Sequence, residues 1–161
     1  MKIDFINLPL RVNNYSDSVR KKFNEIFKNS DYILGKSLNE FEKKISKFTQ
    51  SKYSIGVNSG YDALFLSLKC LGVKTGDEVI TVSNTYVATV NAIVNTGAKP
   101  ILIDVNDDHN IDVSKIEKRI TKKTKAIICV HLTGNPCEMD KILKIAKNNN
   151  IKIIEDCAQA I

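Results

Sequence analysis

At residues 126–131 the chain reads Ala126-Ile127-Ile128-Cys129-Val130-His131, an apolar run that ends in a polar residue. Residues 151–156 are similar and read Ile151-Lys152-Ile153-Ile154-Glu155-Asp156. Between the two runs, apolar residues recur at helical spacing, at Met139, Ile142, Leu143 and Ala146. Continuous apolar strands are typical of parallel sheets that are buried on both faces. The order strand, helix, strand therefore predicts an α/β fold.

The same alternation extends back toward the N-terminus. Further strands are predicted at 53–57, 78–82 and 101–105. Further helices are predicted at 63–71, 87–94 and 113–120, with Asp112 as the N-cap of the last one. Two amphipathic helices open the chain, marked by Val19, Phe23, Ile26 and Phe27 and then by Leu38, Phe41, Ile45 and Phe48. The predicted architecture is a mostly parallel sheet flanked by helices, in which ligands bind outside the carboxyl ends of the strands.

Composition narrows the class of protein. The chain has 161 residues, of which 43% are hydrophobic and 26% charged, a balance typical of one soluble globular domain. The first residues lack the long apolar core of a secretory signal, so a cytoplasmic location without membrane association is expected. The four cysteines form no Cys-x-x-Cys pair, and no metal site or disulfide framework is predicted.

The net charge of +6 has two interpretations. One is nucleic-acid binding, which uses clustered basic and aromatic residues. The other is a solvated, lysine-rich surface. Arginine is limited to Arg11, Arg20 and Arg119, and the lysines are scattered over polar helix faces. This distribution favours the solvated surface, and no nucleic-acid partner is predicted.

Three positions at predicted strand ends are candidates for chemistry. The turn 58–62 leads into a helix, where free backbone N–H groups could hold a phosphate, although a plain capped turn has the same pattern. Asp156 ends an apolar strand and needs a compensating partner, which could be a protonated ring nitrogen or the helix that follows. Tyr86 could stack on a planar cofactor or fill a loop. His131 ends a strand without a visible partner, and His109 lies in a polar turn.

These segments, taken in order, resemble the DegT/StrS-type sugar aminotransferases, which are pyridoxal-phosphate enzymes of fold type I. The resemblance runs over nearly the whole chain. It rests on the blocks at 32–35, 41–42, 57–64, 76–81, 84–89, 97–100, 124–128, 130–134 and 155–160. It implies an incomplete large domain of the aspartate-aminotransferase type, with residues 1–50 as a helical segment packing on it and residues 51–161 as its N-terminal part.

The resemblance also implies a cofactor, pyridoxal 5′-phosphate, and roles for six residues: Gly60, Tyr61, Asp62, Tyr86, Asp156 and Gln159. The backbone of the first three would hold the phosphate, and Tyr86 would stack on the pyridine ring. Asp156 would pair with the pyridinium nitrogen, and Gln159 would bond the 3-hydroxyl. The family usually has a small or hydroxylic residue at position 61, so only the backbone of Tyr61 receives a role.

The family's Schiff-base lysine would lie beyond Ile161, so no catalytic residue is predicted in these residues, and alone they are expected to be inactive. The strand at 53–57 would lack its partner strand and expose an edge, which predicts a marginal, association-prone product. The implied whole enzyme is a homodimer that transfers an amino group, from glutamate, to a nucleotide-linked keto-sugar for polysaccharide or glycoconjugate synthesis. The alternatives are a naturally truncated inactive remnant, half of a split enzyme, or a dehydratase with histidine in place of the lysine.

Overall fold

The computed structural model describes residues 6–161, except for the side chain of Arg11. The chain divides into two compact units, the first ending at Gly56 and the second beginning at Val57. No helix in the described residues is both long enough and apolar enough to span a membrane.

The first unit consists of helices. They are α1 (Leu8–Asn13), α2 (Ser16–Asn29) and α3 (Lys36–Thr49). The periodicities around 19–27 and 38–48 predict α2 and α3 correctly. The short helix α1 was not predicted, and it is capped by the Asn7 side chain, which accepts a hydrogen bond from Leu10 N at 3.0 Å. Neither α2 nor α3 contains a buried residue.

The strand predicted at 53–57 is wrong, because these residues belong to no strand. A strand is stabilised by hydrogen bonds to a neighbouring strand. Here the Gly56 N–H instead donates to Glu42 Oε1 at 2.7 Å, within the first unit. The side chains of Tyr53 and Ile55 are 74% and 78% exposed, unlike those of a strand in a covered sheet.

The second unit is an α/β layer structure. Its elements are α4 (Gly60–Cys70), β1 (Glu78–Val82), α5 (Val87–Asn95), β2 (Lys99–Ile103), β3 (Thr124–Val130), α6 (Met139–Asn149) and β4 (Lys152–Asp156). The strands form one parallel sheet in the order β2-β1-β3-β4. Helices α4, α5 and α6 contact the strands. This confirms the predicted fold class, a parallel sheet flanked by helices.

The core lies on the two inner strands. Val79 and Ile80 of β1 and Ile127 and Ile128 of β3 are fully buried. Leu68 of α4 and Ile93 of α5 are also fully buried. Gly97 ends the turn after α5 with a φ of +86°, and an added Cβ would lie 2.3 Å from Thr75 Oγ1. The turn therefore requires glycine at this position.

Strand β2 is shifted from the predicted 101–105. It ends at Ile103, which pairs with Val82, the last residue of β1. Beyond this point β1 offers no partner, and Val105 makes only an isolated antiparallel bridge to Ile111. Strand β2 therefore ends at the residue that pairs with the last residue of β1.

The helix predicted at 113–120 is replaced by two short 3-10 turns, Val113–Lys115 and Glu117–Arg119. Asp112 does cap the first turn, because its side chain accepts from Ser114 N at 3.0 Å. Val113 and Ile116 are both buried, and a helix with three residues per turn places positions i and i+3 on one face.

Candidate functional site

Asp156 lies at the carboxyl end of β4 and is half-buried. Each carboxylate oxygen accepts a hydrogen bond. Oδ2 accepts from Thr89 Oγ1 at 3.2 Å, and Oδ1 accepts from Ala158 N at 3.2 Å. Donors to both oxygens stabilise the negative charge and fix the plane of the carboxylate.

Residues 85–89 lie against this carboxylate at the start of α5. Thr89 is 1% exposed, and its hydroxyl oxygen is 2.9 Å from that of Thr85. Tyr86 is the N-cap residue of α5, and its side chain is 77% exposed. One segment therefore supplies a buried hydroxyl to Asp156 and an exposed aromatic ring only three positions away along the chain.

Gln159 is held by the loop that follows β3. Its Oε1 accepts a hydrogen bond from Thr133 N at 2.6 Å. Thr133 adopts a left-handed conformation with a φ of 55°, followed by Gly134 with a φ of 84°. This loop, which we call the 131–137 loop, therefore fixes the side chain of Gln159, one of the six residues predicted to bind the cofactor.

A buried histidine anchors the 131–137 loop. His131 is 4% exposed, its Nδ1 is 3.1 Å from Cys137 N, and its Nε2 is 2.9 Å from Glu155 Oε2. Because the Cys137 N–H can only donate, Nδ1 accepts, and the neutral ring carries its proton on Nε2 and donates it to Glu155. The sequence showed no partner for His131, and the structure identifies Cys137 and Glu155 as its partners.

Asn110 provides a second anchor for the same loop. Its side chain donates from Nδ2 to Asn135 O at 3.0 Å, and its Oδ1 accepts from Leu132 N at 3.3 Å. The residue is 2% exposed. It was not singled out in the sequence, since an asparagine in a polar turn carries no distinctive pattern.

The predicted phosphate turn forms the first turn of α4. Ser59 is its N-cap and accepts from Asp62 N at 3.1 Å. The Asp62 N–H therefore already has a partner. Among the described residues, the backbone N–H groups of Gly60 and Tyr61 have none, as expected for the first positions of a helix.

The side chains of this turn differ in what surrounds them. Apart from its chain neighbours and its own helix backbone, no described atom lies within 4 Å of a Cβ built on Gly60. The Tyr61 hydroxyl accepts from Asn95 Nδ2 at 2.6 Å, and its ring stacks on Phe65 with centroids 6.0 Å apart. The Tyr61 side chain is thus engaged with α4 and α5, which leaves its backbone N–H as the group available to a ligand.

Hydrogen bonds connect the segments that carry some of the predicted site residues, and packing alone connects the segments of the others. Tyr86, Asp156 and Gln159 belong to segments that meet at the carboxyl edge of the sheet through Thr89 and Thr133. Helix α4, which carries Gly60, contacts β4 and α5 by packing. Among the described residues, no hydrogen bond joins Gly60, Tyr61 or Asp62 to Asp156.

Cys157 follows the carboxylate directly and is exposed. Although the residue is exposed overall, partial desolvation of its sulfur raises the pKa of the Cys157 thiol, and the negative charges of Glu155 and Asp156 raise this pKa further. The thiol is therefore kept protonated, which is unfavourable for a nucleophile.

A parallel α/β sheet with an anchored carboxylate, an exposed aromatic ring and a helix N-terminus defines a class of ligand-binding protein whose site lies at the carboxyl ends of the strands. Comparison with known families specifies the class further. Residues 14–161 match the DegT/DnrJ/EryC1/StrS aminotransferase family. The chain belongs to this family.

Relatives in the family include sugar transaminases. The chain is 44% identical over 160 residues to dTDP-3-amino-3,6-dideoxy-alpha-D-galactopyranose transaminase of Aneurinibacillus thermoaerophilus, covering 98% of this chain and 44% of that protein. It is 48% identical over 127 residues to GDP-perosamine synthase of Escherichia coli O157:H7, covering 78% of this chain and 35% of that protein. The chain therefore spans less than half the length of these relatives.

Solved structures agree with this assignment. DesV of S. venezuelae superposes with a TM-score of 0.95 at 36% identity, over 99% of this chain and 43% of that one. NtdA of Bacillus subtilis, solved with the bound cofactor PMP, gives a TM-score of 0.94 at 36% identity, over 99% of this chain and 37% of that one.

Proposed function

We propose that this chain forms the cofactor-binding part of a pyridoxal-phosphate-dependent aminotransferase that acts on a nucleotide-linked keto-sugar, with glutamate as the amino donor. The observation that carries the proposal is the Asp156 carboxylate, anchored at both oxygens at the end of β4. An oriented carboxylate is the partner that a protonated pyridine nitrogen requires. When bound, pyridoxal phosphate supplies the electron sink for amino transfer.

Four of the five other predicted residues suit the same ligand, whereas the Asp62 N–H is already bonded to Ser59. The free N–H groups of Gly60 and Tyr61 lie at the positive end of the α4 dipole, where a phosphate is stabilised. The exposed ring of Tyr86 offers a face for stacking, and the anchored amide of Gln159 offers a donor for a ring hydroxyl. These four residues and Asp156 would bind and orient the cofactor.

The substrate class rests on the relatives. Similar relatives include two transaminases named for dTDP-linked amino sugars and a synthase of GDP-perosamine. Another relative is a spore coat polysaccharide biosynthesis protein of Bacillus subtilis. A nucleotide-linked sugar and a role in polysaccharide synthesis are therefore proposed here. The homodimer, the cytoplasmic location and the position of the Schiff-base lysine beyond Ile161 remain predictions.

Binding of pyridoxamine 5′-phosphate tests the proposal. This amine form is preferred to the aldehyde, which would also react with the many exposed lysines of the chain. Titration of the chain with pyridoxamine 5′-phosphate should show saturable binding, and inorganic phosphate should compete with this ligand. Asp156→Asn should weaken it by about tenfold or more, the effect of removing one charge-assisted hydrogen bond. Asp107→Asn, which changes an exposed aspartate, is the matched control.

Gly60→Ala separates ligand binding from folding. The added methyl group contacts no atom of another element within 4 Å, so the variant should fold and melt like the wild type. Because the methyl group stands beside the free N–H groups, phosphate binding should weaken. Binding that is unaffected by both Asp156→Asn and Gly60→Ala would refute the proposed site.

A further inference from the structure

The orientation of Asp156 depends on a residue far away in the sequence. Thr89 lies in the first turn of α5, 67 positions before Asp156, and its side chain is 1% exposed. A helical threonine commonly returns its hydroxyl to a backbone carbonyl one turn earlier. The Thr89 hydroxyl instead crosses to the carboxylate at the end of β4.

The chemistry of the carboxylate sets the direction of these hydrogen bonds. An ionised carboxylate accepts only, so the Thr89 hydroxyl donates its one proton to Asp156 Oδ2. The short contact between the Thr85 and Thr89 hydroxyl oxygens must then be donated by Thr85. Hydrogen-bond donation therefore has one direction: Thr85 donates to Thr89, and Thr89 donates to Asp156.

We propose that Thr89 is a positioning residue for the cofactor, because its hydrogen bond fixes the plane of the Asp156 carboxylate that would pair with the ring nitrogen. Thr85 supports it by occupying the acceptor side of the Thr89 hydroxyl, so that this hydroxyl points at the carboxylate. This inference rests on the proposed function, because it assigns Asp156 a ligand.

The position of Thr89 links this role to Tyr86. Both residues belong to the segment that begins α5, and Tyr86 is its N-cap. Any movement of this turn would displace the stacking ring and the carboxylate anchor together. The first turn of α5 thus fixes the ring face and the ring nitrogen of one ligand through a single rigid element.

Substitution of Thr89 tests the inference on the chain itself. Thr89→Val keeps the side-chain shape and removes the hydroxyl, whereas Thr89→Ser keeps the hydroxyl. Thr81→Val is the matched control, since Thr81 is also fully buried but donates to the carbonyl oxygen of Ile128 at 3.1 Å. Two readouts are needed: the affinity for pyridoxamine 5′-phosphate, and the amide NMR signal and hydrogen exchange of Ala158, which bonds the other oxygen of Asp156.

Thr89→Val should weaken binding by about tenfold, as expected for the loss of one hydrogen bond to a charged group. It should also shift the Ala158 amide signal and speed its exchange. Thr89→Ser should restore both, and Thr81→Val should change neither. If Thr89→Val fails to fold, Thr85→Val serves instead, with a smaller effect in the same direction because Thr85 is only half-buried.

Two results would overturn the inference. One is an Ala158 amide that does not respond to Thr89→Val. The other is an equal loss of affinity in Thr81→Val, which would indicate a general loss of packing. A wild-type chain that binds no pyridoxamine phosphate, but whose Ala158 amide still responds to Thr89→Val, would refute the proposed function and support the anchoring of Asp156 by Thr89.

Discussion

Asn110→Ala should remove one of the two anchors of the 131–137 loop and leave the His131 anchor in place. The substitution removes the hydrogen bonds to Leu132 N and Asn135 O, which are 3.3 and 3.0 Å long. Each such bond contributes about 1 kcal/mol, and leaving the half-buried Leu132 N–H without a partner adds a further cost. The expected loss in the free energy of unfolding is therefore about 2 to 3 kcal/mol.

Urea denaturation and hydrogen exchange measure the two parts of this effect. The denaturation midpoint gives the change in the free energy of unfolding. Exchange of the Leu132 and Thr133 amides should accelerate more than that of the buried strand β3, because the loop opens locally. The side-chain amide of Gln159 should also change its NMR signal, since Thr133 N is its partner.

Asn148→Ala is the control for this variant. Asn148 is exposed on α6, where replacement by alanine should change the free energy of unfolding by less than about 0.5 kcal/mol. If Asn110→Ala costs as little as the control and leaves the exchange of Leu132 unchanged, the reasoning about this loop is refuted.

Two further predictions concern the titratable groups. Cys70 and Cys157 are exposed while Cys129 and Cys137 are buried, so a thiol reagent should label two sites in the native chain and all four after denaturation; native labelling of Cys129 would contradict the fold. Hydrogen bonds from the Ser114 side chain and, to a smaller extent, from Lys115 hold the pKa of Asp112 below its ordinary value. The contribution of the Asp112 carboxylate to the free energy of unfolding is therefore present above about pH 4 and is lost as the pH falls through the lowered pKa. Asp112→Asn should therefore destabilise the chain in urea at neutral pH but not in strong acid, and an equal difference at both pH values would count against this account.

The sequence predicts the parallel elements well because their signals are local. The apolar runs of β1, β3 and β4 and the periodicity of α6 need no knowledge of partners. The strand at 53–57 and the helix at 113–120 were wrong for the opposite reason. A strand requires a neighbour, and two buried residues three positions apart suit a 3-10 turn as well as a helix.

The candidate site shows the same division. Asp156 and Tyr86 can be proposed from the sequence because Asp156 ends a recognisable strand and Tyr86 follows one. Thr89 and Asn110 could not, because their importance lies in contacts 67 and 22 residues away along the chain. Hydroxyl and amide groups become informative only when the fold brings a distant partner to them.

Pro100 in β2 has a consequence for how the sheet can grow. Lys99 N donates to Asp77 O toward the inner strand, and successive residues alternate, so position 100 faces outward. Proline lacks the N–H that a neighbouring strand would accept there, leaving Leu102 as the outward donor within β2. Addition of a strand is therefore disfavoured at the β2 edge of the sheet, whereas strand β4 contains no proline and keeps its backbone N–H donors. One imino acid thus makes strand addition less favourable at the β2 edge of the sheet than at the β4 edge.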